Sequence, residues 1–444
     1  MQYHLLTLGC AKNVADSDGI GAILDQVGIT PVDKAGDAEI LIVNTCGFLQ
    51  ASRQESLDAL RNLGDKKRPD QLLIAVGCLI SRYGAGVQRE VPAVDAVIDA
   101  GRWLALPRLI HYLKSRDETG PRDWLTEAYQ DLPLEQLSAR SIVEQLPRAA
   151  RGPSAYLKIA DGCDRLCTFC IIPAIKGSHH SKPADAIIDE ARQLVSQDVK
   201  EIVLVAQDTT AYGWDLQKQH DALAPLIERL CTEVDGLRWV RLMYAYPGHV
   251  TPRLIETMAH FPQVVHYIDV PLQHAHPETL MRMKRPNVDI TRKMLDSLRA
   301  AMPDIAIRTT FIVGFPGETN EEFQALLDFL DEQQFDRVGI FEFSQEEGTP
   351  AATLPDQVAA KTKKYRRDQA MAHQQKISLA KNKSWVGKEL DVLVEGVGDG
   401  VSIARSYRDA PEVDGIILVN KELPIGEFAR VKITSASEYD LMGK

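Results

Sequence analysis

Short apolar runs alternate with helix-period stretches along the first 115 residues. YHLLTL (3–8), AEILIVNTC (38–46), LLIAVGC (72–78) and AVDAVIDA (93–100) read as buried strands. Between them VADSDGIGAILDQVG and QASRQESLDALRNL read as helices. Strands that alternate with helices favour a parallel sheet with right-handed crossovers. Residues 116–150 lose the pattern and are rich in charge, which marks a linker.

A second alternating series begins near residue 151. AYLKIA (155–160), EIVLVA (201–206), RWVRLM (238–243), HYIDV (266–270), AIRTTFIV (306–313) and RVGIFEF (337–343) are its strands. PADAIIDEARQLVSQ and TNEEFQALLDFLDEQ are two of the helices between them. Six βα units are short of the eight that close a barrel, so a partial barrel is expected. A polar helix rich in Lys, Arg and Gln follows at about 356–383. ELDVLVEGV, GVSIARSYRDAPEVDGIILVN and FARVKITSASEYDL are short strands with Gly/Asp turns, which predicts a small antiparallel β-barrel. The fold class is therefore α/β. The expected organisation is an α/β domain (1–115), a linker (116–150), a partial barrel with its trailing helix (151–383) and a β-barrel (384–444).

The 444 residues are 45% hydrophobic and 25% charged, as in ordinary globular chains. No apolar run approaches the ~20 residues of a membrane helix, and MQYHLLTLGCAKN shows no secretory signal. A cytoplasmic location with reduced thiols is expected. Seven cysteines then point to metal ligation or catalysis where they cluster, not to disulfides.

Cys163, Cys167 and Cys170 do cluster, in CDRLCTFC, directly after YLKIADG. Thiolates hold iron–sulfur clusters, and a cubane takes four ligands. Three leave one iron open to a small molecule. Structural zinc is the alternative; it needs a closed tetrahedral shell, with His179 or His180 as fourth ligand. Cys10, Cys46 and Cys78 each follow the end of an apolar strand. In a parallel sheet those ends share one edge, where open α/β folds bind ligands, so the three are expected to converge. Buried core thiols are the plainer reading of each one alone. Cys231, on APLIERLCTEV with no partner cysteine, reads as packing.

C-x3-C-x2-C with an aromatic before the last Cys resembles the radical S-adenosylmethionine (SAM) superfamily. LGCAKN, NTCGF, GCL, GCDRLCTFCIIP, VPLQH and GFPGET extend the likeness over nearly the whole chain to the methylthiotransferases, which end in a TRAM-type β-barrel. The resemblance implies two 4Fe–4S clusters, one on Cys10, Cys46 and Cys78 and one on Cys163, Cys167 and Cys170, with SAM as cofactor. It implies that one SAM methylates a sulfur at the first cluster, while another yields a radical that takes hydrogen from the substrate carbon. It also favours Gly314 and Gly317 of GFPGET, and Gln207 and Asp208 of AQDTTAYG, as SAM contacts. A plain βα turn is the alternative for the glycines. His274 of PLQH reads as a hydrogen-bonded loop histidine, and no catalytic base is named. The chain departs from the family pattern at Lys176 and Lys182, where arginines are usual. A lysine cannot make a bidentate carboxylate contact.

The family divides by substrate. The MiaB type modifies an adenosine in tRNA; the RimO type modifies an aspartate β-carbon in the twelfth protein of the ribosomal small subunit. GCAKN, CTFCIIP and PLQH resemble the RimO type. Charge points the same way. The chain carries −11 overall, and residues 388–444 hold seven Lys/Arg against eleven Asp/Glu, a net of −4. A barrel that grips RNA should be basic, whereas an acidic one suits a basic ribosomal protein. The helix at 356–383 is basic and could touch RNA. A non-enzymatic protein stabilised by two metal sites is the third reading. Further expectations are an electron donor such as flavodoxin, a sulfur donor, no membrane, and a monomer, since no heptads appear.

Overall fold

The computed structural model describes residues 1–115, 148–217 and 221–444, so the expected linker lies outside the described residues except for 148–150. The chain forms two compact units. One comprises 1–149, 158–164 and 171–193; the other comprises 150–157, 165–170 and 194–444.

The first unit is built on a five-stranded sheet. Its strands are β1 (Gln2–Thr7), β2 (Thr30–Pro31), β3 (Ile40–Thr45), β4 (Leu72–Gly77) and β5 (Ala96–Asp99), in the order β2-β1-β3-β4-β5. Every neighbouring pair is parallel. The short β2 has no apolar run and was not legible in the pattern. Alternate residues of the central strands enter opposite cores. Ile40, Ile42, Ile74 and Val76 meet Ile20, Leu24 and Trp103. Leu41, Val43, Leu73 and Ala75 meet Leu57, Leu60 and Leu79. Both faces are thus covered, which is why these strands read as unbroken apolar runs. The helices α1 (Ala11–Gln26), α2 (Gln50–Lys66) and α3 (Cys78–Tyr83) follow β1, β3 and β4. In the same unit, β7 (Ala160–Asp161) pairs with β8 (His180–Ser181) on either side of the helix Ile172–Lys176.

The second unit contains a six-stranded sheet of β6 (Ser154–Lys158), β9 (Glu201–Val205), β10 (Trp239–Leu242), β11 (Val264–Asp269), β12 (Ala306–Val313) and β13 (Arg337–Glu342). The strands lie in strict sequence order, the arrangement expected of a partial barrel. The basic helix runs Ala360–Lys383, starting a few residues later than expected. After it, β14 (Glu389–Gly398), β15 (Val401–Ser406), β16 (Ile417–Val419), β17 (Phe428–Ala436) and β18 (Leu441–Gly443) close a barrel in the order β14-β15-β16-β18-β17. Leu390, Val392, Val394, Ile417, Val431 and Ile433 fill it. All its pairs are antiparallel except β16–β18.

A layer of buried charge joins this barrel to the six-stranded sheet. Glu201 accepts from Arg241 at 2.7 Å and from Arg405 at 2.5 Å. Arg405 also reaches Glu395 at 2.6 Å. Arg308 pairs with Asp269 at 2.8 Å and with Asp414 at 3.3 Å. Arg337 pairs with Asp409 at 2.5 Å, and Arg408 with Asp336 at 3.1 Å. Tyr156 and Tyr267 donate to the carbonyl of Pro411 (2.8 Å) and to Asp414 (2.7 Å). The segment 405–414 therefore pairs with charged side chains of β9, β12 and β13, and its Tyr407 carbonyl accepts from Arg241 of β10 at 2.6 Å.

Candidate functional site

Cys10, Cys46 and Cys78 lie at the carboxyl ends of β1, β3 and β4. The parallel register sets Thr7 beside Asn44, and Thr45 beside Gly77, so the strands end level. Asparagines tie the ends together. The Asn13 amide donates to the carbonyls of Leu8 (2.7 Å) and Thr45 (3.1 Å), and Asn44 donates to the Asn13 carbonyl (2.9 Å). Ser56 fixes the backbone of Cys46 by accepting from its N–H (3.0 Å) and donating to its carbonyl (2.9 Å). The Cys78 thiol lies 3.9 Å from Asn13 Oδ1.

Close approach demands the flanking glycines. Gly9 has φ +97°, and a Cβ there would sit 2.8 Å from Cys46 Cβ and 3.1 Å from its sulfur. Gly77 has φ +106°, and its Cβ would meet Asn44 Oδ1 at 2.6 Å. Only a residue without a side chain lets the three loops come this near.

Electrostatics differ among the three thiols. Burial pushes Cys78 up to about 12, against the pull of Lys176. Burial also raises Cys46, with Cys10 adding repulsion and the Phe48 N–H opposing. Burial works on Cys10 in the same sense, but Lys12, the N–H groups of Asn13 and Lys12, and Lys176 outweigh it and hold the thiol below its ordinary range. Two buried thiols and one half-buried thiol, with Lys12 and Lys176 acting on them, suit ligands that ionise on binding metal. Among the described residues no three His, Cys, Asp or Glu side chains are grouped to hold one ion. A cluster does not need that grouping, because each thiolate binds a different iron. His179 and His180, the alternative zinc ligands, hydrogen-bond to Ser181 (3.1 Å) and Ser178 (3.2 Å).

In the thiol-rich loop, Cys163 belongs to the first unit. It is buried, and its N–H donates to the Gly177 carbonyl at 3.1 Å. Cys167 and Cys170 belong to the second unit and are half-buried, and the Cys170 N–H donates to the Cys167 carbonyl at 3.1 Å. Thr168 pins this segment, donating from its hydroxyl to the Arg282 carbonyl (2.8 Å) and from its N–H to the Met283 carbonyl (3.2 Å). Arg285 reaches to 3.6 Å from the Cys167 sulfur. Its guanidinium and that of Arg165 lie over the Tyr246 ring, 4.3 and 4.4 Å from the centroid. Sequence reasoning missed Arg165, Arg285 and Tyr246. Arg165 stands inside the cysteine motif and could have been flagged; nothing in the sequence marks Arg285 or Tyr246.

The other candidates scatter along the sheet edge of the second unit. Gln207 and Asp208 follow β9. Asp208 is buried and pairs with Arg165 at 2.7 Å, so its carboxylate is already engaged. Gly314 and Gly317 take positive φ, +71° and +76°. A Cβ on Gly314 would strike Lys363 at 2.4 Å, so the approach of that side chain requires a glycine here. Burial pushes His274 down to about 3, and its Nδ1 accepts from the His276 N–H at 3.0 Å. It is a neutral, hydrogen-bonded loop residue. In the first unit, Lys182 holds Glu190 at 2.5 Å, and Lys176 lies 3.2 Å from Asp161 and 3.7 Å from Asp16. Burial pushes the half-buried Cys231 up to about 12.

Three family models match the chain: the radical SAM superfamily over residues 157–330, an uncharacterized family, UPF0004, over 2–99, and the TRAM domain over 386–444. The fold agrees. A radical SAM methyltransferase from Kitasatospora setae, TsrM, solved with cobalamin and a [4Fe-4S] cluster, superposes with a TM-score of 0.55. It does so at 14% identity, over 79% of this chain and 73% of its own. These features define a radical SAM protein. Among curated proteins, the ribosomal protein uS12 methylthiotransferase RimO of Herpetosiphon aurantiacus is 45% identical over 100% of both chains. That of a Roseiflexus species is 48% identical over 100% of this chain and 97% of its own. The chain belongs to the RimO family of radical SAM methylthiotransferases.

Proposed function

We propose that this chain attaches a methylthio group to the β-carbon of an aspartate in ribosomal protein uS12. The observation that carries this reading is full-length similarity at 45–48% identity to relatives named for that activity. Cys10, Cys46 and Cys78 hold one 4Fe–4S cluster, and Cys163, Cys167 and Cys170 hold the second. Each set offers three thiolates and leaves one iron for a small ligand. Gln207, Asp208, Gly314 and Gly317 are the proposed SAM contacts. When bound, the clusters and SAM would supply the methyl group, an iron to hold the sulfur and the radical chemistry. The protein's own part is to fix the thiol-bearing loops, surround them with buried side chains, and supply cations next to sulfur.

The domain boundaries proposed from the sequence stand with this reading: 1–115, 116–150, 151–383 and 384–444. So do a cytoplasmic monomer, a flavodoxin-like electron donor and a separate sulfur donor. Charge supports a protein substrate. Within 388–444 the side chains of Arg405, Arg408, Asp409 and Asp414 are buried in ion pairs. Two positive and two negative charges thus cancel, and the −4 of the segment remains at the surface.

The test is anaerobic reconstitution with iron and sulfide, followed by SAM and a reductant. One tube receives the aspartate-bearing loop of uS12 as a peptide, the other unmodified tRNA. A methylthio mass increment on the peptide alone is the expected result. Modification of tRNA alone would overturn the proposal and turn attention to the basic helix Ala360–Lys383.

A further inference from the structure

Four charged side chains of the first unit lie together, each at most 7% exposed: Asp16, Lys158, Asp161 and Lys176. They alternate in sign. Lys176 Nζ is 3.2 Å from Asp161 Oδ2 and 3.7 Å from Asp16 Oδ2. Lys158 Nζ is 3.5 Å from Asp161 Oδ2 and hydrogen-bonds Asp16 Oδ1. Removing four charges from water is costly, and an apolar set of equal volume would serve packing as well or better. Their placement suggests another purpose.

Asp16 sits on α1, the helix capped by Cys10. Lys176 ends the helix Ile172–Lys176, which packs on α3, the helix that starts at Cys78. Ile171 and Ile175 form one apolar cluster with Cys78 and Ala100. Ile175, the residue before Lys176, packs in the cluster with Cys78, and Lys176 lies 3.7 Å from Asp16 on the Cys10-capped helix, so its ammonium sits beside both thiol-bearing helices. Burial works against its charge, but Asp161 and Asp16 keep it protonated, well above the ordinary lysine range.

We propose that Lys176 is an electrostatic positioning residue for the Cys10/Cys46/Cys78 centre, a fixed buried cation that offsets the negative charge gathered on three thiolates and their cluster. This rests on the cluster assignment made above. Reduction adds one electron from an external donor and makes the centre more negative. A nearby cation stabilises the reduced form and raises the reduction potential. Asp16 has the opposite sign and lowers it. A lysine suffices here because the task is a point charge, not a planar fork.

The test uses the full chain with Cys163, Cys167 and Cys170 all changed to Ser, so that a single centre remains. Iron and sulfide are counted, and the midpoint potential is read by electron paramagnetic resonance during titration with dithionite. Lys176→Met is expected to shift the potential downward, Lys176→Arg to hold it near the parent value, and Asp16→Asn to shift it upward. Opposite shifts are not what loosened packing would give. An unchanged potential in Lys176→Met, or shifts of the same sign in Lys176→Met and Asp16→Asn, would overturn the inference. If circular dichroism shows that Lys176→Met does not fold, Asp16→Asn decides alone: an upward shift supports the inference and none overturns it. A parent that binds no iron would overturn the cluster assignment itself, and the inference with it.

Discussion

The two parallel sheets solve the same packing problem in opposite ways. In the five-stranded sheet, β3 and β4 present apolar side chains to both faces, and helices of the same unit cover them. In the six-stranded sheet, β9, β10, β11 and β13 each carry a buried charged residue, Glu201, Arg241, Asp269 and Arg337, and β12 carries the partly exposed Arg308. Segment 405–414 of the terminal β-barrel supplies Arg405 to Glu201, Asp409 to Arg337, Asp414 to Arg308 and the Tyr407 carbonyl to Arg241, while Asp269 pairs with Arg308 inside the sheet. The first sheet is complete with its own helices. The second depends on a segment more than sixty residues beyond its last strand, because a buried charge needs a counter-charge and a partial barrel leaves its interior open.

The largest way to break this contrast is truncation after Lys383. It strips Arg405, Asp409 and Asp414 from the charged layer. Loss of the cooperative thermal transition of the second unit, or insolubility on expression, is expected. Next comes Arg405→Leu, which takes from Glu201 one of its two guanidinium partners and from Glu395 its ion pair. A loss of about 3–5 kcal/mol is expected from urea unfolding.

Glu201→Gln sharpens the point through pH. Burial pushes Glu201 up, but Arg241 and Arg405 outweigh it and pull the group down to about 2. A carboxylate whose folded pKa lies below its unfolded value stabilises the native state above the unfolded pKa of about 4.3. That contribution fades as pH falls toward 2. It is worth about 3 kcal/mol at neutral pH. Wild type should therefore lose stability between about pH 4.3 and pH 2, and Glu201→Gln should flatten that limb of the unfolding curve. In the five-stranded sheet, Ile74→Val removes one buried methylene and should cost about 1 kcal/mol, with no dependence on pH. The smallest effect is expected for Cys231→Ala, which should leave iron per chain unchanged in the reconstituted protein.

Much of this molecule is written locally. The strand and helix series of both α/β regions follow from hydrophobic period, and the short turns of the terminal region announce a β-barrel. CDRLCTFC is legible because all its thiols fall in eight consecutive residues. Even the meeting of Cys10, Cys46 and Cys78 is implied, since parallel strands share a carboxyl edge and each cysteine stands at a strand end.

What no stretch of sequence could state is which distant groups compensate which. Glu201 and Arg405 are separated by 204 positions, Arg308 and Asp414 by 106, and Lys158 and Asp16 by 142. Read alone, each of these residues is simply a charged side chain, with no period or motif to mark it as buried. Arg285 beside Cys167 belongs to the same class. Hydrophobic period is a local property of the chain, and it settled the elements. Charge pairing in a low-dielectric interior depends on distance through space, and that was decided only when the elements packed.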